Sequence, residues 1–229
     1  EHLLTAAAGD MSLTIVRPSI VSASFERPFP GWIDSNAAFA GFVGLIGAGH
    51  LQIIVGRRKA RLDIVPVDCV AQRIVEAAFG NDSRPIRYAV AGLAGSSEVG
   101  KTSDIIAAFF TRHSIDRVPK VAYVGPRGKR FQAAYLRHQK GPAQLVKTWL
   151  TLRGDRRQTR RLNKLIEKLD YLNEAFPYFT QNTYDFNGDS AIPLDFVASK
   201  YVEVVCRGVY RYLVGKDETE MVFAGRRHK

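Results

Sequence analysis

Thr14-Ile15-Val16-Arg17-Pro18-Ser19-Ile20-Val21 is the stretch that orders the rest of the chain. Its β-branched residues favour extended backbone, and residues 13–16 read as a strand that Arg17-Pro18 ends, because proline has no N–H for a sheet ladder. On its N-terminal side, residues 1–9 read as the last turns of a helix with Gly9 beyond its end. The chain opens at Glu1 inside an apolar-periodic run, which reads as a cut within that helix. On the C-terminal side comes a loop over 25–34, then an Ala/Gly/Phe-rich helix to about residue 46 that Ser35 can cap. Residues 51–55 and 62–67 are two further short strands, separated by the basic turn Arg57-Arg58-Lys59-Ala60-Arg61. Asp68 stands where the N-cap of a helix over 69–79 belongs, and Gly80-Asn81-Asp82 ends it. A strand over 86–91 and a helix over 103–112 continue the pattern. Strand alternating with helix predicts an α/β fold with a parallel sheet.

Near residue 126 the character changes. Residues 127–138, 143–152 and 156–172 are helical by period, with Leu162, Leu165, Ile166, Leu169 and Leu172 on one stripe. A last helix is predicted over 193–214, its stripe formed by Phe196, Val197, Tyr201, Val204, Val205 and Leu213. The polar, basic tail 225–229 reads as frayed. The expected division is an α/β part over 1–125 and a helical part over 126–229.

The 229 residues are 46% apolar, enough for one sizeable core or for one core and a smaller helical annex. Residues 37–49 form the longest apolar stretch, about a dozen residues against the roughly 20 that span a bilayer. No signal peptide is recognisable at the N-terminus. Cys69 and Cys206 lie far apart without CxxC spacing or clustered histidines, which argues against a disulfide scaffold and against a zinc site. They read as two reduced thiols of a cytoplasmic protein. The formal charge of +11 suits a polyphosphate, an acidic carrier protein or an anionic membrane surface. No helix-turn-helix or zinc pattern accompanies it, so sequence-specific nucleic-acid binding is not expected. Most of the charge sits in three clusters, at 57–61, 127–130 and 153–168; the last holds seven Lys or Arg against Asp155 and Glu167. A solvated helix face is the plain reading of that cluster, and docking of phosphates, an acidic carrier or anionic lipid is the functional one.

Gly95-Ser96-Ser97-Glu98-Val99-Gly100-Lys101-Thr102 satisfies the phosphate-loop pattern GxxxxGK[ST], with a strand before it and a helix after it. A nucleotide-binding loop also needs a downstream strand ending in Asp for Mg²⁺, and Val121-Ala122-Tyr123-Val124 ends in Gly-Pro-Arg instead. The competing reading is a Gly/Ser loop whose Thr102 or Ser103 simply caps the next helix.

A second pattern is dispersed. After Arg17-Pro18-Ser19-Ile20-Val21 come Glu26-Arg27-Pro28-Phe29-Pro30-Gly31-Trp32-Ile33-Asp34 and, about thirty residues on, Leu62-Asp63-Ile64-Val65-Pro66-Val67-Asp68-Cys69-Val70-Ala71. These blocks, in this order, resemble the alcohol-forming fatty acyl-CoA reductases, an extended short-chain dehydrogenase family with a C-terminal helical domain. Tyr178-Phe179, the loop Tyr184-Asp185-Phe186-Asn187 and the closing Tyr210-Arg211-Tyr212-Leu213 agree with it.

The resemblance implies the C-terminal part of a Rossmann-like sheet followed by a mostly helical domain. It implies that Pro18, Ser19, Ile20 and Val21 pass beside the nicotinamide of NADPH, and that Phe29, Pro30, Gly31, Trp32 and Ile33 line the acyl-substrate entrance. The substrate is then a long-chain acyl-CoA or acyl carrier protein thioester, reduced first to aldehyde and then to primary alcohol. No catalytic residue is assigned on this chain. No GxxGxxG opens a first strand, and Tyr212-Leu213-Val214-Gly215-Lys216 lies at the end of the last helix, away from where the family keeps its Tyr-xxx-Lys pair. The segment alone is thus expected to be inactive, to self-associate through an open sheet edge, and to reside in the cytoplasm or peripherally at a membrane. A basic module that docks acyl chains or membranes without chemistry is the remaining alternative.

Overall fold

The computed structural model describes residues 1–35, 37–80, 84–113, 118–125, 128–186 and 190–214. A short helix α1 (His2–Ala7) precedes the strands β1 (Ile15–Pro18) and β2 (Ile20–Ser22). These two are one extended segment that changes partner at Ser19. β1 pairs in parallel with β6 (Ile86–Ala89), Pro18 standing opposite Ala89, while β2 pairs in parallel with β5 (Ile64–Pro66). Pro18 is the last residue of β1, so Arg17-Pro18 ends that strand as its missing N–H requires. The missing N–H costs nothing because Ser19 takes over, its amide donating to Ala89 O at 3.2 Å, and Ile20 N then turns to Asp63 O at 3.2 Å.

The central segment is flanked by β5 on one side and β6 on the other, and the helix between them, α3 (Val67–Phe79), crosses all three strands. This is the parallel strand–helix–strand unit that the alternation predicted. The predicted strand at 62–67 divides: β4 (Arg61–Leu62) pairs antiparallel with β7 (Ser97–Glu98) before Asp63, and β5 follows it. A separate parallel pair joins β3 (Ile53–Val55) to β8 (Ala122–Val124).

Helix α2 (Ala38–Gly47) is buried along nearly its whole length. A helix apolar on every side can only sit inside a core, and Phe39, Phe42, Leu45 and Ile46 are each at most 1% exposed. Each such side chain contributes about 1.5–3 kcal/mol by leaving water. Helix α5 (Val99–His113) lies against α2, with Gly47 directly beneath the Phe110 ring. A four-residue helical turn, α4 (Gly92–Gly95), links β6 to β7.

The C-terminal helices are α6 (Lys129–Tyr135), α7 (Gly141–Leu152), α8 (Arg156–Ala175), α9 (Pro177–Gln181) and α10 (Ala198–Gly208). One core cluster draws on both sides of residue 126: Leu169, Leu172 and Phe176 join Phe39, Phe42 and Ile106, together with Tyr201, Val202 and Val205. The Phe42 and Phe176 rings stack at 5.4 Å. The predicted helix over 193–214 begins only at Ala198, and after Gly208 it widens into a π-helical turn, Val209–Val214. A second π-helical turn, Leu136–Lys140, divides the helix predicted over 127–138 from α7. No helix among the described residues is long and apolar enough to cross a membrane. The expected helix end at Asn81-Asp82 and the tail 225–229 lie outside the described residues.

Candidate functional site

At the carboxyl ends of β2 and β5 the chain opens a cleft of about 620 Å³. Crevices outside the carboxyl ends of parallel strands are where α/β sheets bind ligands. Phe25, Pro28, Trp32, Val67, Val75 and Pro193 give the cleft its apolar walls, with Asp68 and Cys69 at the start of α3 among them.

One wall is the loop between β2 and α2, and three devices hold its shape. The first is Asp68. It lies within the first turn of α3, after an extended Pro66 that precedes the helix, and caps no helical amide. Its carboxylate instead accepts from the loop, Oδ1 from Phe25 N at 2.8 Å and Oδ2 from Glu26 N at 2.8 Å and Arg27 N at 2.9 Å. The N-cap expectation for Asp68 is corrected accordingly: three consecutive loop amides, with no ladder to join, are a stronger demand on an acceptor than a helix terminus.

The second device is Ser24, fully buried. Its hydroxyl donates to Phe29 O at 2.6 Å and accepts from Trp32 N at 3.1 Å, while its own amide donates to Trp32 O at 3.0 Å. The loop thus closes on its first residue and presents Trp32 half-buried at the cleft.

The third is α10. Gly31 has φ +81°, which glycine alone adopts readily, and its backbone rests on Val204 and Gly208. The Tyr201 hydroxyl, in a side chain 1% exposed, donates to Ala23 O just before the loop. Burial pushes the Tyr201 phenol well above its ordinary pKa, so the donor proton stays in place.

A second carboxylate organises the strand ends. Asp63, 7% exposed, accepts from Ala91 N and Gly92 N, both at 2.8 Å, and from the Ser19 hydroxyl. It ties the partner-switch in β1–β2 to the turn after β6.

The sequence-predicted residues divide. Of Phe29, Pro30, Gly31, Trp32 and Ile33, Trp32 lines the cleft. Phe29 is exposed and packs on Tyr212 with ring centroids 5.9 Å apart. Pro30 is exposed, Gly31 docks on α10, and Ile33 packs against the main core. Of Pro18, Ser19, Ile20 and Val21, Pro18 is exposed, Ser19 is committed to Asp63, Ile20 is core, and Val21 packs against the second apolar cluster around Val65. Tyr212 and Lys216 do stand at Tyr-xxx-Lys spacing, but Lys216 lies outside the described residues.

The phosphate-loop reading is overturned by geometry. Arg61 fills the concave side of this loop, its guanidinium donating to Ser96 O at 2.6 Å and Leu93 O at 3.0 Å. The amides of Val99 and Gly100 are spent on Ala60 O and Arg58 O at 2.8 and 2.9 Å. Gly95 and Gly100 are glycines because Ile192 and Arg58 pack where a Cβ would stand, each 2.3 Å away. Lys101 points to Glu98 at 3.5 Å, and Thr102 is fully buried. The helix itself starts at Val99, so neither Thr102 nor Ser103 is its cap.

Burial, reinforced by the charges of Asp68 and Glu26, pushes the Cys69 thiol up to about 11, and burial raises Cys206 further. Thiolate is the nucleophile, so Cys69 is expected to alkylate with iodoacetamide very slowly at pH 7–8 although it lines the cleft. Its rate should rise only as the pH nears 11, with Cys206 unmodified until unfolding. Rapid labelling of the folded chain at pH 7 contradicts the assignment.

Residues 1–74 match the NAD-binding family described as male sterility protein. The chain is 27% identical over its whole length to fatty acyl-CoA reductase 1 of Rattus norvegicus, covering 48% of that protein. It is 26% identical to fatty acyl-CoA reductase 1 of Homo sapiens with the same coverage. It is also 23% identical to fatty acyl-CoA reductase 2 of Homo sapiens, over 95% of this chain and 46% of the relative. The chain spans about half the length of the curated relatives it matches.

Proposed function

We propose, for a chain similar along its whole length to fatty acyl-CoA reductases, that its cleft forms the acyl-binding wall of a nicotinamide-dependent reductase of fatty acyl thioesters. The observation that carries this reading is the apolar cleft at the strand ends, with Trp32 held at its edge by a loop that Asp68, Ser24 and α10 fix in place. An alkyl chain laid against Phe25, Pro28, Trp32 and Val75 would gain about 0.8 kcal/mol per buried CH₂. A wall already rigid loses little entropy on binding.

NADPH, when bound, supplies hydride, and the family match supports a nicotinamide cofactor. On this reading Pro18 and Ser19 touch that cofactor at the strand edge, and the cleft orients the thioester and keeps water from it. The carrier is CoA or acyl carrier protein, the product an aldehyde and then a primary alcohol, and the long acyl chain brings the protein to a membrane surface.

The test is a fluorescence titration in a Trp149→Phe background, which leaves Trp32 as the reporter. Acyl-CoA is expected to shift Trp32 emission, with affinity rising with acyl length, and in a parallel calorimetric titration Trp32→Ala should weaken binding by about tenfold. A response identical for acyl-CoA and free CoA would sink the proposal.

A further inference from the structure

We infer that the α7–α8 hairpin docks the protein on an anionic lipid surface. This extends the reading above but stands on the hairpin's own surface. Helix α7 turns Leu150 inward, 6% exposed, and leaves Leu145, Trp149 and Leu152 on its outside at 75%, 51% and 83% exposure. Their spacing of four and three residues makes one continuous stripe. Both threonines between them are already satisfied, Thr148 and Thr151 donating their hydroxyls to Gln144 O and Lys147 O within the same helix. The helix thus loses few hydrogen bonds on leaving water. Tryptophan among leucines is the side chain that settles at a membrane–water boundary.

Charge completes the pattern. The Arg153 guanidinium lies 4.0 Å from the Trp149 ring centre, joining the apolar stripe to a cationic run. On the next helix Arg156, Arg157, Arg160, Arg161 and Lys164 line a groove of about 430 Å³ with no acidic residue in its wall. Among the described residues none of the five is ion-paired, and Arg161 Nε is buried without a hydrogen-bond partner. Solvated charged faces on helices usually alternate sign or pair at four-residue spacing; this one does neither. An apolar stripe beside unpaired cations is the composition of a helix that lies in a lipid interface. A second copy of the chain is a poor occupant, since a two-fold contact would set the cationic runs against each other. A free polyphosphate would use the groove but leave the exposed Leu and Trp unexplained.

The experiment is flotation of the whole chain with vesicles of phosphatidylcholine alone and with about a third phosphatidylserine, at low and high salt. Binding to the acidic vesicles only, weakened by salt, is expected. Each basic residue near the surface contributes about fivefold, so Arg156→Glu with Arg160→Glu should lose more than tenfold. Leu145→Ser with Leu152→Ser should lose at least fivefold, both variants keeping wild-type circular dichroism. Three results overturn the inference. One is no flotation with acidic vesicles. Another is loss in the charge variant while the apolar variant binds normally, which leaves only an anion site. The third is a dimer without lipid that the apolar variant dissolves. Flotation needs neither cofactor nor thioester, so its failure leaves the reductase reading standing, and the Trp32 titration tests that reading separately.

Discussion

Gly208→Ala is expected to lower the melting temperature by about 6–12 °C, the shift that a loss of about 3 kcal/mol produces in a chain of this size. A Cβ at Gly208 would stand 2.1 Å from Gly31 O, a backbone atom that cannot swing aside. Overpacking a core costs about 1–3 kcal/mol even where side chains yield, so this change should lie at the upper end or beyond. Relief has to come from lifting the loop off α10, which moves Trp32. The variant should therefore lose acyl binding as well as stability. Gly128→Ala is the control, with nothing nearer than 3.9 Å to its added carbon; it should shift stability by no more than about 0.5 kcal/mol. A Gly208→Ala protein that melts within 2 °C of wild type, as about 0.5 kcal/mol would give, refutes the close approach. Thermal unfolding followed by circular dichroism decides it.

Asp68→Ala separates the cleft wall from the rest of the fold more cleanly. It removes the acceptor for Phe25, Glu26 and Arg27 amides together. The side chain is only half-buried, so water replaces part of what is lost, and the expected cost is about 2–3 kcal/mol. The larger effect should fall on binding. Freed of their anchor, residues 25–27 explore many conformations, and a ligand must order them again at about 1–2 kcal/mol per residue. Acyl-CoA affinity should fall by about tenfold or more, with amide hydrogen exchange rising over 25–32 and staying unchanged in α2. Asp68→Asn keeps one acceptor oxygen and should fall between the two. If Asp68→Ala bound acyl-CoA as well as wild type, the loop would not be the wall.

The contrast between these two positions shows what the chain discloses before it folds. The strand–helix alternation through β2, β5, α3 and β6 was legible, because each element carries its own period and its own punctuation. So was the stripe of α8: Leu169 and Leu172 point into the core as the spacing required. Phe29-Pro30-Gly31-Trp32 pointed to a stiff loop bearing a large apolar side chain, and Trp32 does line the cleft. What escaped is what depends on distant partners. Beyond Pro18, where β1 ends, the chain resumes at once as β2, and the sequence does not show that Ser19 and Ile20 find Ala89 O and Asp63 O as partners. Asp68 looked like a cap because its true ligands lie 41 to 43 residues away. The Gly95–Thr102 string looked like a phosphate site because glycines required by Ile192 and Arg58 packing spell the same pattern. Tyr201 and Gly208 carried no local signal at all, since an apolar stripe does not say which of its members touches a loop.

That dependence on α10 sets an order of events during synthesis. Ala23 and Tyr201 are 178 positions apart, and a ribosome adding about 5–20 residues per second needs roughly ten seconds or more to deliver the second after the first. Once residues 64–68 have emerged the strands on either side of the cleft can pair, yet Gly31 has no helix to rest on and its loop has only Ser24 and Asp68. The cleft acquires its final wall last, when residues 201–208 emerge, so the nascent chain passes through a stage with an assembled sheet and an unformed pocket.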